Sequence, residues 1–285
     1  MIIFFEAGRL GNQLFQYCGL KKFKKKGPLF LVGMNSLKSM FPGIEVAGRS
    51  WLESLAAQLI YRLGTRRLNM MSKKIRLIGL IKEYRPVTGR EFRVHNGLLK
   101  NIYYCDTAFF QSEKMIDHFI ASKLQLKSEL IEYASNIFKK IPIDRTKTFF
   151  VHVRRGDYTQ WPSPVAPAVL PLKWYQKQMD LIRARYDDPF FIVVSDDAAY
   201  AAEMFGGCRD VFVSCETEEV DFALMTQCYG GGILSASSFS WWGAYFVRRA
   251  NGDALLIAPL YWAGHRWGKW FPEGIETSWL NYAAV

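Results

Sequence analysis

Two adjacent arginines and an aspartate close a run of apolar, β-prone residues, where Thr148-Phe-Phe-Val151 leads into His152-Val-Arg-Arg-Gly-Asp-Tyr158. A buried strand would end there, and parallel α/β folds hold their ligands at strand ends. A guanidinium keeps its charge and presents a fork that fits phosphate oxygens. Arg154 and Arg155 therefore read as a diphosphate grip. Successive residues of an extended chain point opposite ways, so one arginine faces the ligand while the other braces the loop. The competing reading is a structural ion pair with Asp157 or another acid. His152 precedes Arg154 by two positions and shares its face.

Three more loops carry unusual residues after apolar runs. In Gly8-Arg-Leu-Gly-Asn-Gln13, glycine lets a ligand approach the backbone, and the helix start behind it favours anions. A tight turn with no ligand explains the same residues, and neither the GxGxxG fingerprint nor the P-loop pattern is matched. Ser195-Asp-Asp197 offers carboxylates for ribose hydroxyls or a guanine edge, for capping the next helix, or for a divalent metal. Ser235-Ala-Ser-Ser-Phe-Ser-Trp-Trp-Gly243 crowds Ser237, Ser238 and Ser240 into a strand-to-helix turn. There they either donate toward one point or cap the helix. Trp241 and Trp242 read as core. His95, His118, His152 and His265 show neither metal spacing nor a Ser-His-Asp order.

The elements needed to position these loops can be traced. Ile2–Phe5 predicts a strand, followed by a helix from Gly11 or Asn12 to about Lys26, ended by Gly27-Pro28, and a strand at Leu29–Val32. Trp51–Leu63, Ser112–Ala121 and Ser128–Ile141 predict helices, whereas 64–100 has no clean period. Strands at Lys147–Val153, Pro189–Val194, Val211–Val213, Gly232–Ser235 and Ala254–Ala258 alternate with helices at Leu172–Tyr186, Ala198–Phe205, Glu219–Cys228 and Ser240–Ala250. That alternation predicts a Rossmann-like parallel sheet. The break at Pro142-Ile-Asp144 suggests two domains, 1–144 and 145–285.

Charge is divided unevenly. The net charge of the 285 residues is +11, and residues 1–145 hold 25 Lys and Arg against 11 Asp and Glu. The half with the paired arginines is mildly acidic, so any phosphate there is held by placed groups and not by a diffuse field. Lys21, Lys22, Lys24, Lys25 and Lys26 read either as a solvated helix end or as a contact for anionic lipid. Five cysteines without a CxxC pair read as reduced thiols, and no apolar stretch is long enough for a spanning helix. Glu6 and Arg9 come too early for a signal peptide, and the cytoplasm is the expected location. The basic front half alone would also suit a non-enzymatic protein that binds RNA or an anionic surface, but no RNA-binding module is legible.

The loops together resemble a known family. His152-Val-Arg-Arg-Gly-Asp-Tyr158 is similar to the HxRRxD-type motif of α1,2-, α1,6- and protein O-fucosyltransferases. Gly8-Arg-Leu-Gly-Asn-Gln-Leu-Phe-Gln-Tyr17, Phe110-Gln-Ser-Glu113 and Leu234-Ser-Ala-Ser-Ser-Phe-Ser-Trp-Trp-Gly-Ala-Tyr-Phe246 resemble, in order, segments of the α1,2-fucosyltransferases of glycosyltransferase family 11. Ala236 stands where that family's pattern has Asn.

The resemblance implies an α/β fold of the GT-B class, with two Rossmann-like domains facing a central cleft, the first on the acceptor side and the second binding GDP-fucose. It implies an inverting, metal-independent transfer of L-fucose from GDP-L-fucose to the 2-hydroxyl of a galactose-terminated oligosaccharide. Another GDP-sugar transferase is the nearest alternative. Small size and the lack of an anchor favour a bacterial enzyme acting on a surface polysaccharide or O-antigen precursor, with anionic-membrane contact and no nucleic acid as partners. Carried onto this chain, Arg154 binds the β-phosphate, and His152 lies beside the nucleotide. Asp196 or Asp197 holds the guanine, and Ser238, Phe239 and Ser240 close the pyrophosphate pocket. Gly8, Arg9, Gly11 and Asn12 approach from the first domain. Asn12 and Asp157 join Arg154 as candidate catalytic groups, with no metal ligands and no cofactor beyond the donor. The loop Tyr158–Pro171 reads as either an acceptor-side surface with Tyr158 and Trp161 as sugar platforms, or a cover.

Overall fold

The apolar tetrapeptides Ile2–Phe5 (β1) and Leu29–Val32 (β2) pair in parallel and start a sheet that the sequence only partly announces. The computed structural model describes residues 1–23, 29–44, 51–84, 91–141 and 143–285, without the side chains of 51–54 and 57. The chain forms two compact units, Met1–Gln125 and Leu126–Val285.

In the first unit, β1 leads into α1 (Leu10–Phe23), and β2 into α2 (Asn35–Met40) and α3 (Trp51–Asn69), the last interrupted by Gly64. Three strands then come from the stretch without a clean period: β3 (Gly79–Tyr84), β4 (Glu91–His95) and β5 (Tyr103–Cys105). Their order is β2-β1-β5-β3-β4, with β4 antiparallel at the edge and the other neighbours parallel. The sheet core gathers Ile3, Phe30, Leu80 and Tyr104 with Ile60 and Leu68 of α3. The helix expected over Ser112–Ala121 is instead a 3-10 turn, Glu113–Met115, and a short α4 (His118–Ser122), which Asp117 caps by accepting from Ile120 N–H at 3.1 Å.

The second unit begins earlier than the break at Pro142 suggests. Helix α5 (Ser128–Lys140) belongs to it and not to residues 1–144. Its apolar face, with Ala134, Ile137 and Phe138, is buried, and it packs on α8 (Glu218–Met225). Gln227 fastens the junction, accepting from Ser135 Oγ at 2.8 Å and Arg145 Nη1 at 2.7 Å and donating to the Ile131 carbonyl at 3.2 Å. Pro142 itself lies outside the described residues, and the residues on both sides of it fall in the second unit.

From β6 (Thr148–Val153) onward the alternation is regular: α6 (Leu172–Arg185), β7 (Phe190–Ser195), α7 (Ala198–Phe205), β8 (Val211–Val213), α8, β9 (Gly231–Ile233), α9 (Ser238–Ala250) and β10 (Leu255–Pro259). A further strand, β11 (Asn281–Ala283), was not apparent in the sequence. All neighbours are parallel, in the order β8-β7-β6-β9-β10-β11. Renumbered from β6, this is the Rossmann order 3-2-1-4-5-6, whose direction of winding reverses between β6 and β9. Every residue of β6 is buried, and Phe149, Val151, Phe191, Val193, Trp174 and Ile182 share one core.

One buried acid makes this unit pH-sensitive. Asp221, in the first turn of α8, accepts a hydrogen bond from Ser214 Oγ. Burial, helped by Glu216 and Glu218, lifts its pKa from 3.8 to about 7 against the lowering effect of that bond. The fold therefore holds a proton that the unfolded chain releases, and stability falls as pH climbs from about 4 to about 7. Asp221→Asn keeps an acceptor for Ser214 without the charge. It is expected to melt about 5 °C or more above the parent at pH 8, with a smaller gain at pH 5. Equal gains at both pH values in calorimetry would count against a titrating Asp221.

Candidate active site

Sheets of this order take their ligands at the carboxyl ends of the strands beside the switch point, here β6 and β9, and the chain places its least ordinary residues there. The loops after β6 and β9 are joined by short contacts. His152 is buried, its Nδ1 lies 2.6 Å from Ser235 Oγ, and its ring is 5.4 Å from that of Phe239. Tyr158 Oη donates to the Ala236 carbonyl at 2.9 Å. Ser237 caps α9 by accepting from Phe239 N–H at 3.3 Å. Ser238 and Phe239 are half-buried in the first turn of α9, where the helix dipole is positive. Ser240 has another task. It is fully buried and donates to the carbonyls of Ser235 and Ser237, both at 3.0 Å, so it braces the loop and does not line an open pocket.

The loop after β7 meets the loop after β6 because their register aligns Val153 with Ser195. Ser195 Oγ fastens the pair by donating to the Val153 carbonyl at 2.7 Å. Arg154 and Asp196 then fall side by side, as do Arg155 and Asp197. Asp196 accepts from Arg154 Nη1 at 3.1 Å and from Arg155 N–H at 2.8 Å. Asp197 accepts from Arg155 Nε at 3.1 Å and caps α7 by accepting from Tyr200 N–H at 3.1 Å. Both carboxylates expected on guanine are thus engaged by the arginines and the helix cap. A Cβ on Gly156 would sit 2.5 Å from Asp196 Oδ2, so glycine is what admits the carboxylate.

The two arginines have different surroundings. Arg155 is the brace: its guanidinium lies 3.6 Å from the Tyr200 ring centroid and pairs with Asp197. Arg154 is ion-paired to Asp157 and Asp196 and lies 5.3 Å from the Tyr158 ring, but its Nε is buried with no hydrogen-bond partner. Asp157 is 60% exposed. Nearby, the Tyr175 hydroxyl of α6 is also buried; the Arg154 backbone N–H faces its oxygen, but its own proton has no acceptor. Burial first, then Tyr200 and Asp196, pushes its pKa up, so it remains a donor. Buried donors without acceptors are rare in native folds and cost about 1–3 kcal/mol each. An acceptor-only ligand such as a phosphate satisfies them. Tyr175 and Tyr200 carried no sequence signal, since what assigns them is the packing of α6 and α7 on the sheet.

The first unit arranges its own loop between β1 and α1. Gly8 has φ +82°, and a Cβ there would lie 2.3 Å from Asn12 Nδ2. Gln13 donates to Glu6 at 3.0 Å and to the Gly8 carbonyl at 3.2 Å, and accepts from Leu37 N–H at 3.0 Å. Glu6 also accepts from Met34 N–H, which makes it a brace of the β2–α2 loop. Asn12 accepts from Gln111 Nε2 at 2.7 Å, joining two of the motif segments. Gly11 is buried, and Arg9 is exposed. Helix α1 is buried on nearly all sides, and its end at Phe23 leaves Lys24, Lys25 and Lys26 outside the described residues. Of the other two lysines, Lys21 is buried with its ammonium 5.3 Å from the Tyr17 ring, and Lys22 donates to the Lys114 carbonyl. Among the described residues, no helix is long and apolar enough to cross a membrane, and no cluster of His, Cys, Asp and Glu fits a metal ion.

Both loop systems lie within one family match, since residues 4–269 match Glycosyl transferase family 11. The chain belongs to that family. It is 29% identical over 211 residues to the O-antigen biosynthesis glycosyltransferase WbnK of Escherichia coli, across 70% of this chain and 66% of the relative. It is 30% identical over 275 residues to galactoside alpha-(1,2)-fucosyltransferase 1 of Plecturocebus brunneus, across 88% and 66%. The chain therefore spans just under two thirds of the length of these curated relatives. Fucosyltransferase NodZ from Bradyrhizobium aligns with a TM-score of 0.50 and 14% identity, over 85% of this chain and 91% of that one. That likeness gives the GT-B fold class. Where the family pattern has Asn, the buried Ala236 holds the loop through its carbonyl, and the hydroxyls of Tyr158, Ser235, Ser237 and Ser240 complete the bracing.

Proposed function

We propose that the chain transfers L-fucose from GDP-L-fucose to the 2-hydroxyl of a galactose in an oligosaccharide, with inversion and without a metal. The observation that carries this reading is Arg154, at the sheet's switch point with a buried Nε lacking an acceptor. Family membership and the names of the relatives support the choice of sugar and linkage.

In this reading the acceptor oxygen attacks fucose C1 as the bond from C1 to the β-phosphate oxygen breaks. Charge grows on the leaving phosphate, and Arg154 with the start of α9 stabilises it most at the transition state. His152, fixed by Ser235 and Phe239, forms the wall beside the nucleotide. Asp157, the solvent-reachable carboxylate of the cluster, is assigned the acceptor's proton. The acceptor is a surface-polysaccharide or O-antigen precursor.

The test offers GDP-fucose, GDP-mannose and UDP-galactose with lactose or N-acetyllactosamine, with and without a chelator. The expected product forms from GDP-fucose alone, is cleaved by an α1,2-specific fucosidase and is unaffected by chelation. Product from GDP-mannose alone would make the chain another GDP-sugar transferase. Absence of product from every donor would remove the enzymatic reading.

A further inference from the structure

The loop after β6 does not end at the phosphate-type residues. It continues into a line of aromatic rings that the transfer chemistry does not use. Tyr158, beside Arg154, lies 4.9 Å from Trp161, which lies 5.6 Å from Phe271, which lies 5.7 Å from Trp267. Successive ring planes turn by 33°, 46° and 84°, so the rings do not stack flat over one another. Trp161 is 38% exposed and Trp267 44%.

Hydrogen bonds hold the line in place. The backbone carbonyl of Trp161 accepts from Ala168 N–H at 2.7 Å, and that of Tyr158 from Val169 N–H at 3.1 Å. Arg266 Nε crosses to the Pro167 carbonyl at 3.0 Å, and the Phe271 carbonyl accepts from Ala263 N–H at 3.1 Å. Two chain segments, 158–171 and 262–272, are thus tied into one surface before any ligand arrives.

Exposed indoles fixed in this way call for a ligand with an apolar face and a polar edge. The rim supplies exposed Gln160, Arg266 and Lys269, which suit hydroxyls better than the apolar face of a helix. The rings also run on from the Arg154 site through Tyr158. We infer that Trp161, Phe271 and Trp267 form a stacking platform for a pyranose ring of a neutral β-galactoside oligosaccharide. The galactoside is named from the proposed transfer activity; the platform itself stands on the rings. Part of the acceptor is then held by the second unit, in keeping with the acceptor-side reading of Tyr158–Pro171.

The test measures glycan binding and turnover separately. Lactose and N-acetyllactosamine are titrated against the full chain by saturation-transfer NMR, and acceptor KM is measured with GDP-fucose. Trp161→Ala and Trp267→Ala are each expected to weaken glycan binding and raise acceptor KM about five- to tenfold. Trp161→Tyr should recover most of the loss. Trp267 is exposed enough that its replacement should leave the melting curve in place, which guards against misfolding of the Trp161 variant. Transfer by the parent with unchanged acceptor KM and binding in both alanine variants would overturn the platform and leave the transfer reading standing. Binding that depends on both indoles, with no product from any donor, would uphold the platform and remove the transfer reading.

Discussion

Arg154→Ala is expected to lower turnover about a hundred- to a thousandfold, the equivalent of ~3–4 kcal/mol of transition-state stabilisation. The size follows from where charge develops. Cleavage of the sugar–phosphate bond leaves a β-phosphate whose extra charge exists only at and after the transition state, so a donor aimed there acts on kcat more than on binding. Arg154→Lys should not recover activity. Lysine is a point charge on a flexible stem, whereas Arg154 spans Asp157 and Asp196 with its two terminal nitrogens and leaves Nε for the ligand. Steady-state kinetics with GDP-fucose decide the matter. Turnover within about threefold of the parent in either variant would remove Arg154 from the leaving-group role.

The second large effect concerns folding. Gly231→Ala is expected to cost about 3 kcal/mol or more and to lower the melting temperature of the full chain by about 10 °C. Gly231 has φ +141°, a conformation that side chains oppose, and its Cβ would stand 1.9 Å from the Leu255 carbonyl oxygen. That oxygen belongs to backbone held in the pairing of β10 with β9, so it cannot swing away. The effect should reach the site as well, because β9 delivers Ser235 to His152. Gly243→Ala is the contrast. Its Cβ would meet the flexible end of Met225 at 3.0 Å, and alanine suits a helix interior, so the change should be small. Circular dichroism melts compare the two, and equal stability of Gly231→Ala with the parent would contradict the packing argument.

How much of this was legible beforehand depends on where each element's information resides. The parallel sheet of the second unit was readable because buried parallel strands are apolar runs punctuated by turn residues, as in Thr148–Val153 and Phe190–Ser195. The antiparallel pair β3–β4 was not, since β4 is a short, largely exposed edge strand in which Phe92 packs on Phe110 while Val94 stays exposed. Three-residue strands such as β5 and β11 are too short to show a period. The place of α5 depended on Gln227 and α8, far along the chain, while Pro142 offered only a local break.

The same division holds for the site. Motif residues at strand ends could be found from their types, and alternation separates the surroundings of Arg154 from those of Arg155. Their partners could not, because the pairing of β6 with β7 in one register decides which aspartate meets which arginine. Ser240 and Asp196 show this: each is held by groups that only the folded chain brings near.

The register that sets Asp196 and Asp197 against the arginines also bears on product release. Three carboxylates, Asp157, Asp196 and Asp197, already occupy the two guanidinium groups, so an arriving diphosphate must share them with internal competitors. Free phosphate gains little from such a site, and a nucleotide gains enough only when its remaining parts are also bound. In the proposed transfer, GDP would have lost the sugar's contacts and would still face those competitors. The acids beside the grip would then weaken the hold of the by-product and favour its exchange for the next donor.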